Sequence, residues 1–362
     1  MRYTNDRIVE RKLEQLKSMI FEDVLELPQW ETRTGMFTWD ADYTDVEEAW
    51  SAIRVGDRWE CRDFLTRWFR TTVTVPPEFA GKPLALDLEF GGETSVKVNG
   101  ELTGGLSSWL NPWAGTRTRV YLTDCAEAGT VYNVEAESML QYGEFSHMRK
   151  KGATSVTYTF RSARLVTLDP IVEGYYFDIQ VAFDSMKVLR SPLDRFIHSS
   201  DRIPENMLNL LESSAKDPYY YERVKEVLIT SLTRVDFDFD RARTVASIRE
   251  AAEIFREKMD QLPKNFHFLI KFVGQAHIDT AWLWPVVESV RKTRNTFSNV
   301  CDLRDRYPEF TFAFSQPQLF EFVKDHYPKL HERVKEKVAK GQLELVGNTW
   351  VEMDTNVPSG EA

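Results

Sequence analysis

The sequence predicts a multidomain α+β chain: an N-terminal helix, a β-sandwich, a helical connector and then the opening units of a parallel α/β domain. Three observations predict it. Apolar residues alternate with period two across much of residues 55 to 190. A charged helical pattern bracketed by prolines follows. From about residue 268, strand and helix signals alternate.

Residues 1 to about 25 fit an amphipathic helix, because Ile8, Leu13, Leu16, Ile20 and Val24 recur at roughly helical spacing between charges. The next region changes period. Leu84, Leu86, Leu88 and Phe90 fill every second position, as do Phe177, Ile179, Val181 and Phe183, the pattern of half-buried strands. Val96 and Val98 lead into Asn99-Gly100, a hairpin turn, and the pairs Gly91-Gly92 and Gly104-Gly105 read as further turns of a sandwich. Between about 203 and 262, Pro204 and Pro263 bracket helices rich in Glu, Arg and Lys. Beyond them the pattern predicts a strand at 268–274, a helix at 285–305 and a strand at 311–315. Helices at 317–326 and 328–340 and a strand at 342–347 complete it. Such alternation calls for parallel strands joined by right-handed connections. The expected domains are 1–30, 31–200, 201–265 and 266–362.

Composition narrows the function. A chain of 362 residues with 42% hydrophobic content can build several cores. A net charge of −10 argues against a nucleic-acid partner, which attracts clustered Lys and Arg. No apolar run approaches the roughly 18 residues of a membrane span. Cys61, Cys125 and Cys301 are too scattered for a disulfide framework or a cysteine zinc site, and the N-terminus lacks the apolar core of a signal peptide. The expectation is a cytoplasmic protein without nucleic-acid or membrane partners, with homo-oligomerisation left open. Ten tryptophans supply core area first and sugar-stacking surface second.

The segment 274–285, GQAHIDTAWLWP, carries the chemistry. His277 and Asp279 lie two residues apart after an apolar run that reads as a strand, so they project to one side. A neutral imidazole and a carboxylate are both good ligands for a zinc-like dication. The bare spacing is weak on its own, and helix capping by Asp279 is the plain alternative. Trp282 and Trp284 follow, and Pro285 suits a helix start. Parallel α/β sheets place their sites at the carboxyl ends of strands. Ser315 and Gln316, then Trp350, Glu352 and Asp354, would therefore share a mouth with His277 and Asp279. Asp354 is a candidate substrate contact there, while both Glu352 and Asp354 could instead hold a loop through backbone hydrogen bonds.

AHIDTAWLWP, RKTRNTFSNV, FSQPQLFEFVKDHYPKL and GNTWVEMDTNVPSGE together resemble the start of the catalytic domain of the glycoside hydrolase family 38 α-mannosidases, over about 268–361. The sandwich and connector are similar to the N-terminal region of the cytosolic and vacuolar type. That resemblance implies a jelly-roll sandwich and the first βα units of a (β/α) barrel. It also implies a retaining exo-α-mannosidase that removes terminal α-linked mannose from oligosaccharides. One divalent metal is implied, zinc by preference with cobalt or manganese as substitutes, which assigns metal ligation to His277 and Asp279 and a sugar-facing ring to Trp282. Trp284 reads as a core ring. The other two ligands, the nucleophile and the acid/base are expected past residue 362, so no catalytic residue is assigned and the chain alone is expected to be inactive. Two alternatives stand beside this reading: a metal-dependent carbohydrate deacetylase and a non-catalytic carbohydrate-binding module.

Overall fold

In the computed structural model of the chain, the described residues are 2–111, 115–142, 152–190, 218–263, 271–347 and 349–352. Seven α-helices are described: α1 (Arg2–Met19), α2 (Pro170–Arg190), α3 (Pro218–Leu232), α4 (Arg241–Asp260), α5 (Val286–Arg306), α6 (Pro317–His326) and α7 (Pro328–Ala339). The first strands are β1 (Phe21–Glu26), β2 (Gln29–Phe37), β3 (Tyr43–Thr44), β4 (Ser51–Arg54), β5 (Arg58–Cys61), β6 (Leu65–Thr74) and β7 (Leu84–Glu89). Next come β8 (Glu93–Val98), β9 (Glu101–Asn111), β10 (Gly115–Arg117), β11 (Arg119–Thr123), β12 (Val131–Met139), β13 (Val156–Thr159) and β14 (Ser162–Leu168). The last three are β15 (Gly274–Gln275), β16 (Phe312–Phe314) and β17 (Leu343–Leu345). The chain divides into two compact units, Met1–Asp23 with Thr167–Leu269, and Val24–Val166 with Ile270–Ala362.

The first unit is built from α1 to α4. Val9, Leu13, Leu16 and Ile20 form the buried stripe of α1, while Ile8 and Val24 are exposed and Val24 belongs to β1. The expected helix is therefore shorter and rotated by one residue at its start. The alternation across Phe177–Phe183 is not a strand. It lies in α2, where Val172, Tyr175, Ile179, Ala182, Phe183 and Met186 are buried at helical spacing and Phe177 and Val181 face outward. Period two was satisfied by accident, because the flanking Tyr175 and Ala182 complete the helical stripe. Asp169 caps this helix, accepting from the backbone of Ile171 and Val172 at 3.1 and 3.2 Å. Consequently the last sandwich strand ends at Leu168, and residues 170–190 are helical rather than part of a sandwich running to 200.

In the second unit, an eight-stranded sheet, ordered β10-β9-β8-β12-β6-β2-β3 with β4 also on β2, opposes a four-stranded sheet ordered β1-β14-β7-β11. Their inner faces share one core in which Trp30, Phe69, Phe90 and Phe160 pack ring to ring, with centroids 4.6 Å apart for Phe69 and Phe90. The buried indoles are satisfied: Trp30 and Trp59 donate to the carbonyls of Leu27 and Phe90 at 2.9 and 2.8 Å. Asn99 and Gly100, both with positive φ (51° and 79°), turn β8 into β9 as expected. Gly104 and Gly105, expected in a turn, instead lie inside β9. A Cβ on Gly105 would stand 2.8 Å from the Cβ of Asn295, so the glycine permits the close approach of α5.

The remaining part of this unit alternates strand and helix as the sequence predicts, with β15, β16 and β17 parallel and adjacent in that order. The first strand is much shorter than the expected 268–274. Only Gly274 and Gln275 pair with β16, Phe272 is 91% exposed, and residues 268–270 lie outside the described residues.

Helix α5 joins the sandwich to the parallel sheet. It presents Phe297, Val300 and Cys301 to the core around Phe312, Phe314 and Leu319, and it buries Glu288, Arg291 and Arg294 beside the sandwich. Arg294 Nη1 donates to Glu137 of β12 at 2.9 Å, and Arg291 donates to Glu288 and, at 2.7 Å, to Thr66 of β6. Tyr43 donates to the other Glu137 oxygen at 2.7 Å. Burial opposes charge on both arginines, but Glu288 and Glu137 outweigh it and hold the guanidiniums above their ordinary pKa. Burial likewise pushes Glu137 up, and Arg294 and Arg291 reverse this to leave it below the usual range. A depressed carboxylate stabilises the fold above its unfolded pKa, and that contribution is lost as pH falls through the folded value.

Arg294→Ala should cost about 3–5 kcal/mol in urea unfolding, because it strands a buried carboxylate. Lys335→Ala, which breaks an exposed pair with Glu332, should leave the midpoint almost unchanged. For α2, Ile179→Ala should cost about 2–5 kcal/mol, whereas Val181→Lys should be tolerated; a strand would lose stability with both.

Candidate functional site

His277 and Asp279 follow β15 directly and converge as the spacing predicts. His277 Nε2 and Asp279 Oδ1 are 2.8 Å apart, and both side chains are about half exposed. The opposite ring nitrogen, Nδ1, lies 2.6 Å from Glu352 Oε2. Glu352 Oε1 in turn accepts from the Ser315 hydroxyl at the end of β16. The hydrogen bond to Asp279 raises the His277 pKa above the ordinary imidazole value, burial opposes it, and Glu352 adds to the rise. A raised histidine stabilises the fold below its unfolded pKa, and the contribution fades as pH rises through the folded one.

A buried amide braces these groups from below. Gln316 Nε2 donates to the carbonyl of Ile278 at 3.0 Å, and its Oε1 accepts the backbone N–H of Glu352 at 3.4 Å. The residue is 2% exposed and holds a left-handed backbone, φ 67°, where a side chain costs roughly 1–2 kcal/mol. Its place before Pro317, which closes the right-handed helical region to the preceding residue, removes one competing conformation.

The backbone carbonyl of Asp279 is fixed separately, accepting from Trp284 Nε1 and Ser289 Oγ, each at 3.1 Å. Trp284 is half buried and packs against both cores of the second unit. Trp282 is 65% exposed and meets Trp284 edge-on at 5.7 Å. Asp354 lies outside the described residues. Glu352, Ser315 and Gln316 were legible as residues at the strand ends, but nothing in their spacing revealed the carboxylate as a partner of His277.

Donor chemistry at this point suits a dication. On a tetrahedral zinc two ligand atoms stand about 3.3 Å from each other, so His277 and Asp279 need open by only about half an ångström. They fit as two ligands of a site rather than as a whole one: among the described residues no three His, Cys, Asp or Glu side chains form a metal cluster. A cavity of about 290 Å³ adjoins His277, lined by Trp284, Lys292 and Asn299 and by Glu93, Ser107 and Arg117 of the sandwich.

Two larger hollows, about 640 and 500 Å³, lie on the face of the eight-stranded sheet, and neither is lined by a histidine or a cysteine. There the ring of Trp50 is covered by the guanidiniums of Arg33 and Arg70, 4.6 and 4.1 Å from its centroid. Two guanidiniums thus compete with any sugar for this ring.

Comparison with known proteins bears on the family of the chain. Residues 267–362 match the glycosyl hydrolases family 38 N-terminal domain, and residues 24–166 match the alpha-mannosidase jelly roll domain. Alpha-mannosidase 2C1 of Homo sapiens is 30% identical over 323 residues, covering 88% of this chain and 28% of that protein. An alpha-mannosidase of Saccharomyces cerevisiae is 26% identical over 303 residues, covering 82% and 26%. The chain thus spans a little over a quarter of the curated relatives it matches along most of its length. A beta-glucuronidase of Ruminococcus gnavus superposes on 41% of the chain and 29% of its own, at 13% identity and a TM-score of 0.27, too loosely to bear on the fold. The chain therefore carries an alpha-mannosidase jelly roll domain followed by a glycosyl hydrolases family 38 N-terminal domain.

Proposed function

We propose that the protein is a metal-assisted, retaining α-mannosidase that removes terminal α-linked mannose from oligosaccharides. The observation that carries this reading is the convergence of His277 and Asp279 at a strand end, inside a segment that matches family 38. On this reading β15 to β17 are the first strands of a (β/α) barrel, whose mouth is formed by the strand ends. Retention requires two carboxyl groups about 5 Å apart, a nucleophile and an acid/base. No residue of this chain is assigned to either role, and the activity is proposed for the whole protein.

Within the chain, His277 and Asp279 hold a divalent cation, zinc by preference with cobalt or manganese as substitutes. When bound, such a cation supplies a Lewis acid for sugar hydroxyls. The exposed Trp282 ring forms a wall of the sugar site, and Asp354 is retained as a substrate contact. The adjoining cavity is near the lower limit of small-molecule sites, about 300 Å³. Its lining mixes Leu106, Ile278 and Trp284 with polar groups that pair within the protein, Lys292 with Glu93 and Arg117 with Asp302. A deacetylase would share the metal chemistry, and it is disfavoured by the match to family 38. The arginines over Trp50 disfavour that ring as the platform of a sugar-binding sandwich. A cytoplasmic location remains part of this reading, and Cys61, Cys125 and Cys301 are free thiols. Among the described residues no helix is long and apolar enough to cross a membrane.

The whole protein should hydrolyse aryl α-mannosides and lose that activity on chelation. His277→Ala and Asp279→Ala should each lower bound zinc and turnover together; full zinc in both variants would remove these residues as ligands. Trp282→Ala should reduce turnover with metal content intact, whereas Trp284→Ala should chiefly lower the melting temperature, since truncating a large packed ring costs about 3–5 kcal/mol. The opposite pattern would exchange their roles.

A further inference from the structure

We infer that Glu352 is the positioning residue of the metal site, the carboxylate that takes the Nδ1 proton of His277 and thereby turns Nε2 toward the metal. The inference rests on the reading of His277 and Asp279 as ligands. Its basis is donor accounting. Nε2 faces Asp279 at 2.8 Å and Nδ1 faces Glu352 at 2.6 Å, so both nitrogens of one ring point at carboxylates. A neutral imidazole has one N–H and one lone pair. If Nε2 supplies its lone pair to a cation shared with Asp279, the N–H must sit on Nδ1, and Glu352 is the acceptor in place to receive it. Metal-ligating histidines are commonly oriented by such a second hydrogen bond.

A surface ion pair between half-exposed side chains would need none of the surrounding structure. Here the carboxylate is held at several points. Ser315 Oγ donates to its other oxygen, and the backbone N–H of Glu352 donates to the Gln316 amide. That same amide is tied to the carbonyl of Ile278, between the two ligands in sequence. Gln316 keeps a left-handed backbone while making both contacts. Three successive strand ends are thereby linked around one imidazole, an arrangement that fixes a ring orientation.

Zinc affinity of the purified protein, measured by competition with a chromogenic chelator, tests the inference. Glu352→Ala should weaken zinc about 10- to 100-fold. Glu352→Gln should recover most of the loss, because its carbonyl can still accept from Nδ1–H. Nitrogen-15 imidazole spectra of the zinc-loaded wild type should show His277 protonated at Nδ1, a readout that does not depend on any variant folding. Wild-type affinity in Glu352→Ala, or protonation at Nε2, would overturn the inference. Equal loss in the Gln and Ala variants would also overturn it, and would make Glu352 a direct ligand. If His277→Ala leaves zinc affinity unchanged, the ligand assignment itself fails, an outcome distinct from the others.

Discussion

The ion cluster between α5 and the sandwich is the constraint on which the second unit depends. Isolated burial of Arg291, Arg294, Glu137 or Glu288 would cost several kcal/mol per ion, and only their mutual contacts, with Tyr43 and Thr66, offset it. Because the partners come from β3, β6 and β12 as well as from α5, the helix has one acceptable register and orientation against the sheet. An all-apolar contact would tolerate sliding by a turn. Paired charges do not.

That rigid seating reaches the candidate site within one turn of helix. Ser289, one residue from Glu288, bonds the carbonyl of Asp279, and Trp284, just before the helix, bonds the same atom. The loop that carries His277 and Asp279 is thus pinned to α5 on one side and to Gln316 on the other. Precise placement of half-exposed side chains on a loop demands such support, since they gain little from their own packing.

Much of this architecture was legible in the sequence, and the failures have identifiable physical causes. Asn99-Gly100 and the order of helices and strands after residue 285 were read correctly, because turn chemistry and long periodic segments are local signals. The run from Phe177 to Phe183 misled because an amphipathic helix can place apolar residues at every second position for a few residues. Gly104-Gly105 misled for another reason: its role is set by Asn295 and Asn299, distant in sequence. The charges of α5 find their partner only through the fold, when the sandwich supplies Glu137. At the site, the His277 and Asp279 pair was visible as a two-residue spacing, although both stand on the loop after β15 and not in a strand, whereas its link to Glu352 depends on the parallel pairing of β15, β16 and β17 and on a left-handed Gln316.

The seating of α5 bears on how the chain is born. Glu137 meets Arg294 across 157 residues of sequence, and Gly105 meets the side-chain amide of Asn299 across 194, with both its N–H and its C=O engaged at 2.8 and 3.1 Å. At about 5–20 residues per second, translation delivers Arg294 roughly 8–30 s after Glu137. Throughout that interval Glu137 of β12 has the Tyr43 hydroxyl but no guanidinium, and β9 must leave the backbone groups of Gly105 to water. The sandwich, made first, is therefore completed late, and its final closure waits on a helix from the other end of the nascent chain.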